Sequence, residues 1–206
     1  MDARVLAEAE RTDLAAFLAT LTPQQWDSPS LCAGWRVRDV VAHVVSYDAL
    51  DLQGLGRRFL QGRLLLDRIN GLGVAEHADR TPAELTALVH EHRSPRGLTA
   101  GFGGRIALVD GLIHHQDIRR PLGLARQVPA ERLRAALPFA LAAPPVRGFW
   151  HVRGLRVVAT DLDWSAGRGP EVRGPGEAIL MAVAGRAGVA RELEGPGAAR
   201  LLQRLG

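Results

Sequence analysis

The sequence predicts a mainly α-helical protein, with a helical bundle over residues 1–143 and a small α+β domain over residues 144–206. Two observations support this division. Apolar residues recur at helical spacing throughout the first part, whereas short strand-like runs appear only in the second. The chain has 206 residues, of which 47% are apolar and 23% charged, and this composition is typical of a folded globular protein.

Amphipathic helices account for most of the predicted bundle. They are expected over residues 3–21, 36–61, 81–92 and 105–119. The third has the clearest start, because Thr81 suits the N-cap, Pro82 the first helical position and Glu84 the third position of a capping box. Residues 62–80 show no clear period. A further short helix is expected over 129–141, before a linker at 142–145.

The chain changes character after this linker. Residues 155–161 are rich in β-branched and apolar side chains, which predicts a strand. Gly167 and Gly169 are expected to form the turn of a hairpin whose second strand covers residues 171–173. Two more helices are predicted over residues 176–186 and 198–205.

Two features of the composition exclude whole classes of enzyme. The chain contains no lysine, so all 26 basic side chains are arginines, whereas a P-loop nucleotidase and a pyridoxal-phosphate enzyme each need a lysine. The single cysteine, Cys32, excludes intramolecular disulfides and cysteine-rich metal modules. Nothing near Cys32 in the sequence supplies a base, so we expect its thiol to pack rather than to act as a nucleophile.

Charge and hydropathy limit the partners. The formal net charge is +4, but no basic block with interleaved aromatics occurs, so we expect no nucleic-acid partner. No stretch approaches the roughly 18 uninterrupted apolar residues of a membrane span, and the polar N-terminus is unlike a signal peptide. We therefore expect a cytoplasmic protein, a monomer or homodimer, that acts on small molecules.

Polar residues interrupt the apolar faces of two predicted helices. Asp110, His114 and Asp117 follow one another at i, i+4 and i+7 on the apolar stripe of the helix over 105–119, and His43 lies among core-facing valines. Because a buried carboxylate needs a partner, something should satisfy this face. Two histidines and one carboxylate are typical ligands of zinc or another divalent metal. A salt bridge or capping pair within the helix is the alternative.

Two neighbouring residues are expected to lie outside the set of ligands. His115 points about 100° away from His114 around the helix. Asp117 lies near a helix C-terminus, which disfavours a negative charge. We therefore expect Asp117 to pair with Arg119 or Arg120, or to support a ligating histidine.

Three segments carry a resemblance to a known family. Residues 26–43, WDSPSLCAGWRVRDVVAH, resemble the N-terminal signature of the mycothiol-dependent maleylpyruvate isomerase family, which consists of DinB-like four-helix proteins of actinobacteria. Residues 110–118, DGLIHHQDI, resemble the second signature of that family, and residues 159–186 resemble its small second domain. The resemblance spans nearly the whole chain and implies a DinB-like four-helix bundle with a C-terminal α+β appendage.

The resemblance also implies site residues. The implied metal ligands are His43, Asp110 and His114, where Asp110 replaces a glutamate of the well-studied isomerase. Arg186 resembles an arginine of the second domain that contacts the anionic substrate or the thiol cofactor. An ordinary cation at a helix C-terminus is the alternative for Arg186.

The implied cofactors are a divalent metal, most simply zinc, and mycothiol. In that family the metal lowers the pKa of the mycothiol thiol, and the resulting metal-bound thiolate attacks the substrate. The resemblance therefore implies an isomerase or S-transferase that acts on a small electrophile. A non-catalytic metal-binding or stress-response protein on the same scaffold is the alternative, since one fold hosts many functions.

Overall fold

The structure, a computed structural model, describes residues 2–206. The chain divides into two compact units, the first ending at Arg126 and the second beginning at Gln127. The sequence placed the division after residue 143 instead. The units divide earlier because the helix over Ala130–Ala142 packs against two helices of the second unit, Gly148–Val152 and Gly176–Val183.

The first unit is entirely helical apart from its loops. Its α-helices are α1 (Ala3–Leu18), α2 (Pro23–Trp26), α3 (Val37–Val45), α4 (Leu52–Gln61), α5 (Leu66–Ala75), α6 (Pro82–Glu91) and α7 (Arg105–Arg119), with a 3₁₀ turn at Gly97–Ala100. Four of them form the bundle, because α1 and α3 each pack against both α6 and α7. The prediction of a mainly helical, DinB-like fold is confirmed.

One predicted helix is wrong. The helix expected over 36–61 is two helices, α3 and α4, separated by residues 46–51. Ser46 bonds back to the His43 carbonyl at 2.9 Å, and the Asp51 carboxylate accepts the Gly54 N–H at 2.7 Å as the N-cap of α4. Side chains of this type compete for backbone bonds, so they end one helix and begin the next.

The start of α6 follows the capping box that the sequence predicts. Thr81 Oγ1 accepts the Glu84 N–H at 3.3 Å, and the Glu84 carboxylate accepts the Thr81 N–H at 2.7 Å. Pro82 occupies the first turn. Residues 62–80, which showed no clear period, contain α5.

Valines of α3 occupy the centre of the bundle core. The fully buried apolar side chains around them come from α1, α3, α6 and α7 and include Leu14, Leu18, Val37, Val40, Val41, Leu85, Val89 and Ile118. Burying a side chain of this size contributes about 1.5–3 kcal/mol. This packing holds α3 against α7, and these two helices carry the predicted metal ligands.

The second unit combines helices with a small sheet. Its elements are α8 (Ala130–Ala142), α9 (Gly148–Val152), β1 (Arg156–Ala159), β2 (Ser165–Gly167), β3 (Glu171–Gly174), α10 (Gly176–Val183) and α11 (Ala198–Leu205). The strand order is β2-β1-β3, and α10 packs against β1, β3 and α8.

The predicted hairpin turn at Gly167 and Gly169 is wrong. Strand β1 pairs antiparallel with β2 and parallel with β3, so β2 and β3 flank β1 and do not pair. Both glycines have positive φ, 82° and 127°, and a Cβ at either would collide with the carbonyl oxygen of Leu155 or Gly154. They let the chain pass close to the start of β1 and cross to its other side.

Candidate metal centre

Helix α3 places His43 inside the bundle. The backbone N–H of Arg36 bonds to the Asp39 carboxylate at 2.9 Å where the helix begins, and the apolar face formed by Val40 and Val44 is buried. His43 lies in the last turn and is 7% exposed. Its ring packs 5.2 Å from Trp35, measured between centroids, so an aromatic wall covers it.

Helix α7 carries the other two predicted ligands one turn apart. Asp110 and His114 are at i and i+4, so their side chains lie on one face. The structure brings both to His43. Asp110 Oδ1 is 3.4 Å from His114 Nε2 and 3.6 Å from His43 Nε2, and the two imidazole rings are nearly perpendicular at 4.8 Å.

The spacing of these donor atoms fits a common divalent ion. The three ligand atoms lie within 4.8 Å of one another. Two ligands bound to one zinc ion at about 2.0–2.1 Å and a tetrahedral angle are about 3.3–3.4 Å apart. The separations of 3.4 and 3.6 Å match this value better than the roughly 2.9 Å of an ordinary hydrogen bond.

Asp117 orients His114. Its carboxylate is fully buried, and Oδ2 lies 2.9 Å from His114 Nδ1. A proton on Nδ1 that is donated to this carboxylate leaves Nε2 directed at Asp110, as in many carboxylate–histidine–metal arrangements. Of the two roles expected for Asp117, the structure shows the support of His114.

The electrostatics of the cluster favour a bound cation. Burial alone would raise the pKa of Asp110, but the charge of His114 and the neighbouring His43 hold that pKa far below its usual range. Burial alone would lower the pKa of His114, yet Asp110 and Asp117 raise it well above its usual value. A protonated His114 between two carboxylates leaves a net negative site, and a metal at Nε2 would replace one proton.

The pKa of His43 shifts in the opposite direction to that of His114. Burial lowers the pKa of His43, and Asp110 only partly opposes the shift, so the ring is held neutral, the form that binds metals. Its Nδ1 is buried and has no hydrogen-bond partner among residues 2–206. The Asp110 side chain is 28% exposed, against 8% for His43 and 12% for His114, so the cluster opens to solvent on the Asp110 side.

His115 belongs to a separate buried network. Its Nδ1 lies 2.9 Å from Glu10 Oε1, and Arg119 Nε donates to its Nε2 at 2.9 Å. Arg126 also binds Glu10, at 2.6 Å. These contacts join α1 to α7 through buried charged groups, and His115 points about 100° away from His114 around α7.

Cys32 is the residue whose surroundings the sequence did not indicate. Its Sγ donates to Asp117 Oδ2 at 3.1 Å and lies 3.7 Å from His114 Nδ1. The two partners are more than 80 residues away in the chain, so no local spacing connects them. The sequence neighbours of Cys32 supply no base, but α7 brings a carboxylate and an imidazole to its thiol.

The comparison with protein families agrees with this picture. Residues 7–97 match the model of the mycothiol maleylpyruvate isomerase N-terminal domain. The matched range includes Cys32 and His43 and ends before α7. No curated protein matches the chain.

Two crystal structures share the fold over almost the entire chain. The mycothiol-dependent maleylpyruvate isomerase has a TM-score of 0.62 at 17% identity, and a histidine-to-alanine mutant of that enzyme has 0.61 at 18%. Each similarity covers 95% of this chain and 92% of the other. At this identity they show a common architecture.

Among residues 2–206, no helix is both long and apolar enough to cross a bilayer.

Arg186, the other predicted site residue, lies in the second unit just after α10. Its Nη1 donates to the Ala184 carbonyl at 2.8 Å. Because a guanidinium has five N–H donors, this bond is compatible with binding a carboxylate as well. The proposed contact of Arg186 with a substrate or cofactor stays a prediction.

Proposed function

We propose that the protein is a metal- and mycothiol-dependent enzyme of the isomerase or S-transferase type that acts on a small electrophile. The observation that carries this proposal is the spacing of His43, Asp110 and His114 around one point. The match of residues 7–97 to the model of the mycothiol maleylpyruvate isomerase N-terminal domain supports the choice of thiol.

The residues of the cluster would have separate roles. His43, Asp110 and His114 would hold the ion, and Asp117 would keep the proton on Nδ1 of His114. When bound, a divalent ion lowers the pKa of a coordinated thiol. The exposed edge of Asp110 leaves an approach for a ligand from solvent. The protein therefore needs no nucleophile of its own.

We propose zinc as the ion, because two imidazoles and a carboxylate suit it and leave a position open. Aspartate is one methylene shorter than glutamate, so the carboxylate of Asp110 extends less far from the backbone of α7. Arg186 is proposed to contact an anionic group of the substrate or thiol, as a guanidinium binds carboxylates in a bidentate manner.

Small molecules are the proposed partners, rather than nucleic acid. Several arginines of the first unit pair with carboxylates of the protein: Arg11 with Asp48, Arg58 with Glu76, and Arg126 with Glu10. The side chains of these three arginines have under a tenth of their area exposed, so they are not available to bind phosphates at the surface. We further propose an actinobacterial, cytoplasmic protein that is a monomer or homodimer.

Cobalt spectroscopy tests the proposal. Loading metal-free protein with one equivalent of Co²⁺ and then adding mycothiol should produce a thiolate-to-cobalt charge-transfer band in the near ultraviolet. Calorimetry in two buffers of different ionisation enthalpy should show proton release on thiol binding. The same band in Cys32→Ser would assign it to the added thiol.

A variant pair tests the second unit. Arg186→Ala should weaken mycothiol or substrate binding while the cobalt stays bound, and Arg191→Ala, an exposed arginine nearby, serves as the control. If neither mycothiol nor a simple thiol changes the cobalt spectrum, the thiol-enzyme proposal fails. The non-catalytic metal-binding alternative would then stand.

A further inference from the structure

A second set of donor atoms surrounds the other nitrogen of His114. Cys32 Sγ, Asp117 Oδ2 and His114 Nδ1 lie within 4.8 Å of one another, at separations of 2.9, 3.1 and 3.7 Å. The first set uses Nε2 of the same ring. One imidazole therefore stands between two groups of three donors, and only the second contains sulfur.

The dimensions of this second set are close to those of a metal site. With a Zn–S bond of about 2.3 Å and Zn–N and Zn–O bonds of about 2.0–2.2 Å, tetrahedral ligands are about 3.4–3.6 Å apart. The sulfur–nitrogen separation of 3.7 Å is already near this range. The two hydrogen-bonded pairs, at 2.9 and 3.1 Å, would open by about half an ångström.

Backbone bonds hold Cys32 beside α7. The Leu31 N–H donates to the Asp117 carbonyl at 3.0 Å, and the Cys32 N–H donates to Ser30 Oγ at 3.1 Å. Backbone hydrogen bonds of the loop, as well as side chains of α7, therefore hold the thiol against the carboxylate. Cys32 is only partly buried, whereas Asp117 is fully buried, so an ion would enter from the Cys32 side.

We propose that Cys32, Asp117 and the Nδ1 of His114 form a second metal site for a thiophilic divalent cation such as Zn²⁺ or Cd²⁺. A thiolate ligand selects softer ions than the two imidazoles and carboxylate of the first set. Binding breaks the S–H and Nδ1–H bonds, forms S–metal and N–metal bonds, and releases two protons to solvent.

The two sites share His114 and therefore compete for it. An ion in the second site removes the Nδ1–H···Asp117 bond that directs Nε2 at the first. With Nε2 already coordinated, a second ion requires the imidazole to lose both ring protons, which disfavours double loading. We expect the second ion to bind at least about tenfold more weakly than the first, or about 1.4 kcal/mol.

A Co²⁺ titration of the full chain without any added thiol tests the second site. The first equivalent should give visible d–d bands alone, and excess Co²⁺ should add a thiolate-to-cobalt band, since Cys32 is the only sulfur that can ionise. Cys32→Ser should lose the thiolate-to-cobalt band and keep the d–d bands of the first site. His43→Ala should lose the d–d bands of the first site and keep the thiolate-to-cobalt band.

A second measurement needs no variant. Cd²⁺ should slow alkylation of Cys32 by iodoacetamide at least about tenfold, an effect that Mg²⁺ should not reproduce. Absence of a thiolate band at every Co²⁺ excess in reduced protein, its survival in Cys32→Ser, or unchanged alkylation with Cd²⁺ overturns the proposal. The first site is judged separately, because its d–d bands in Cys32→Ser do not depend on this result.

Discussion

Replacing Asp117 with asparagine tests the arrangement around His114. The carboxylate is fully buried and lies 2.9 Å from His114 Nδ1. Asparagine keeps the shape and an accepting oxygen but removes the charge. A hydrogen bond to a charged group contributes about 1.5–3 kcal/mol, and about 1.4 kcal/mol is a tenfold change in affinity. We therefore expect Asp117→Asn to weaken zinc binding at the first site about 10- to 100-fold.

Competition with a chromophoric zinc chelator at fixed pH and ionic strength measures this loss. Far-ultraviolet circular dichroism of the metal-free variant checks that the bundle still folds. Asp67→Asn, which makes the same chemical change at an exposed residue of α5, is the matched control. An affinity within about threefold of wild type in a folded Asp117→Asn variant would refute the role of this carboxylate, as would an equal loss in the control.

Three other predictions follow from the described contacts. His114→Ala should lose stoichiometric metal by elemental analysis with its helical content intact, whereas His115→Ala should keep the metal and lose about 2–3 kcal/mol of unfolding free energy; the reverse pattern would mean that the wrong imidazole was assigned. Burial alone would raise the pKa of Glu10, but Arg126 and His115 hold it well below its ordinary 4.5, so its stabilisation is present above pH 4.5 and is lost as the pH falls. The difference in unfolding free energy between wild type and Glu10→Gln, about 3 kcal/mol near neutral pH, should therefore shrink in urea titrations below pH 4.5, and a constant difference would contradict the depressed pKa. Gly104 has φ 86° and a Cβ there would lie 2.7 Å from a backbone carbon of α1, so Gly104→Ala should lower Tm, and an unchanged Tm would show that α1 and the start of α7 are less tightly packed.

Local signals predicted much of the helical fold. Helix α6 begins with the predicted capping box, and α1 and α7 lie close to the ranges that their apolar spacing indicated. These features depend on neighbours a few residues apart, which the sequence displays directly. The single helix predicted over 36–61 was wrong, because apolar spacing alone does not reveal that Asp51 is the N-cap of a new helix.

The candidate site was only partly visible in the sequence. Asp110 and His114 are one turn apart on a single helix, so their proximity follows from helical geometry. That His43 joins them depends on how α3 packs against α7. Its place among core-facing valines marked it as a candidate, and the family resemblance then implied it as a ligand. The sheet shows the same limit, since a strand prediction for β3 did not reveal that it pairs parallel with β1.

The sequence by itself determined that the protein is mainly helical, that it has no lysine and cannot form an intramolecular disulfide, and that Asp110, His114 and Asp117 share one face of α7. Only the tertiary structure decided that Asp117 supports His114 and that Cys32 lies against both. Helical periodicity is a short-range property that a few residues encode. A contact between a loop thiol and a carboxylate 85 residues away arises from the packing of the whole bundle, which no local pattern contains.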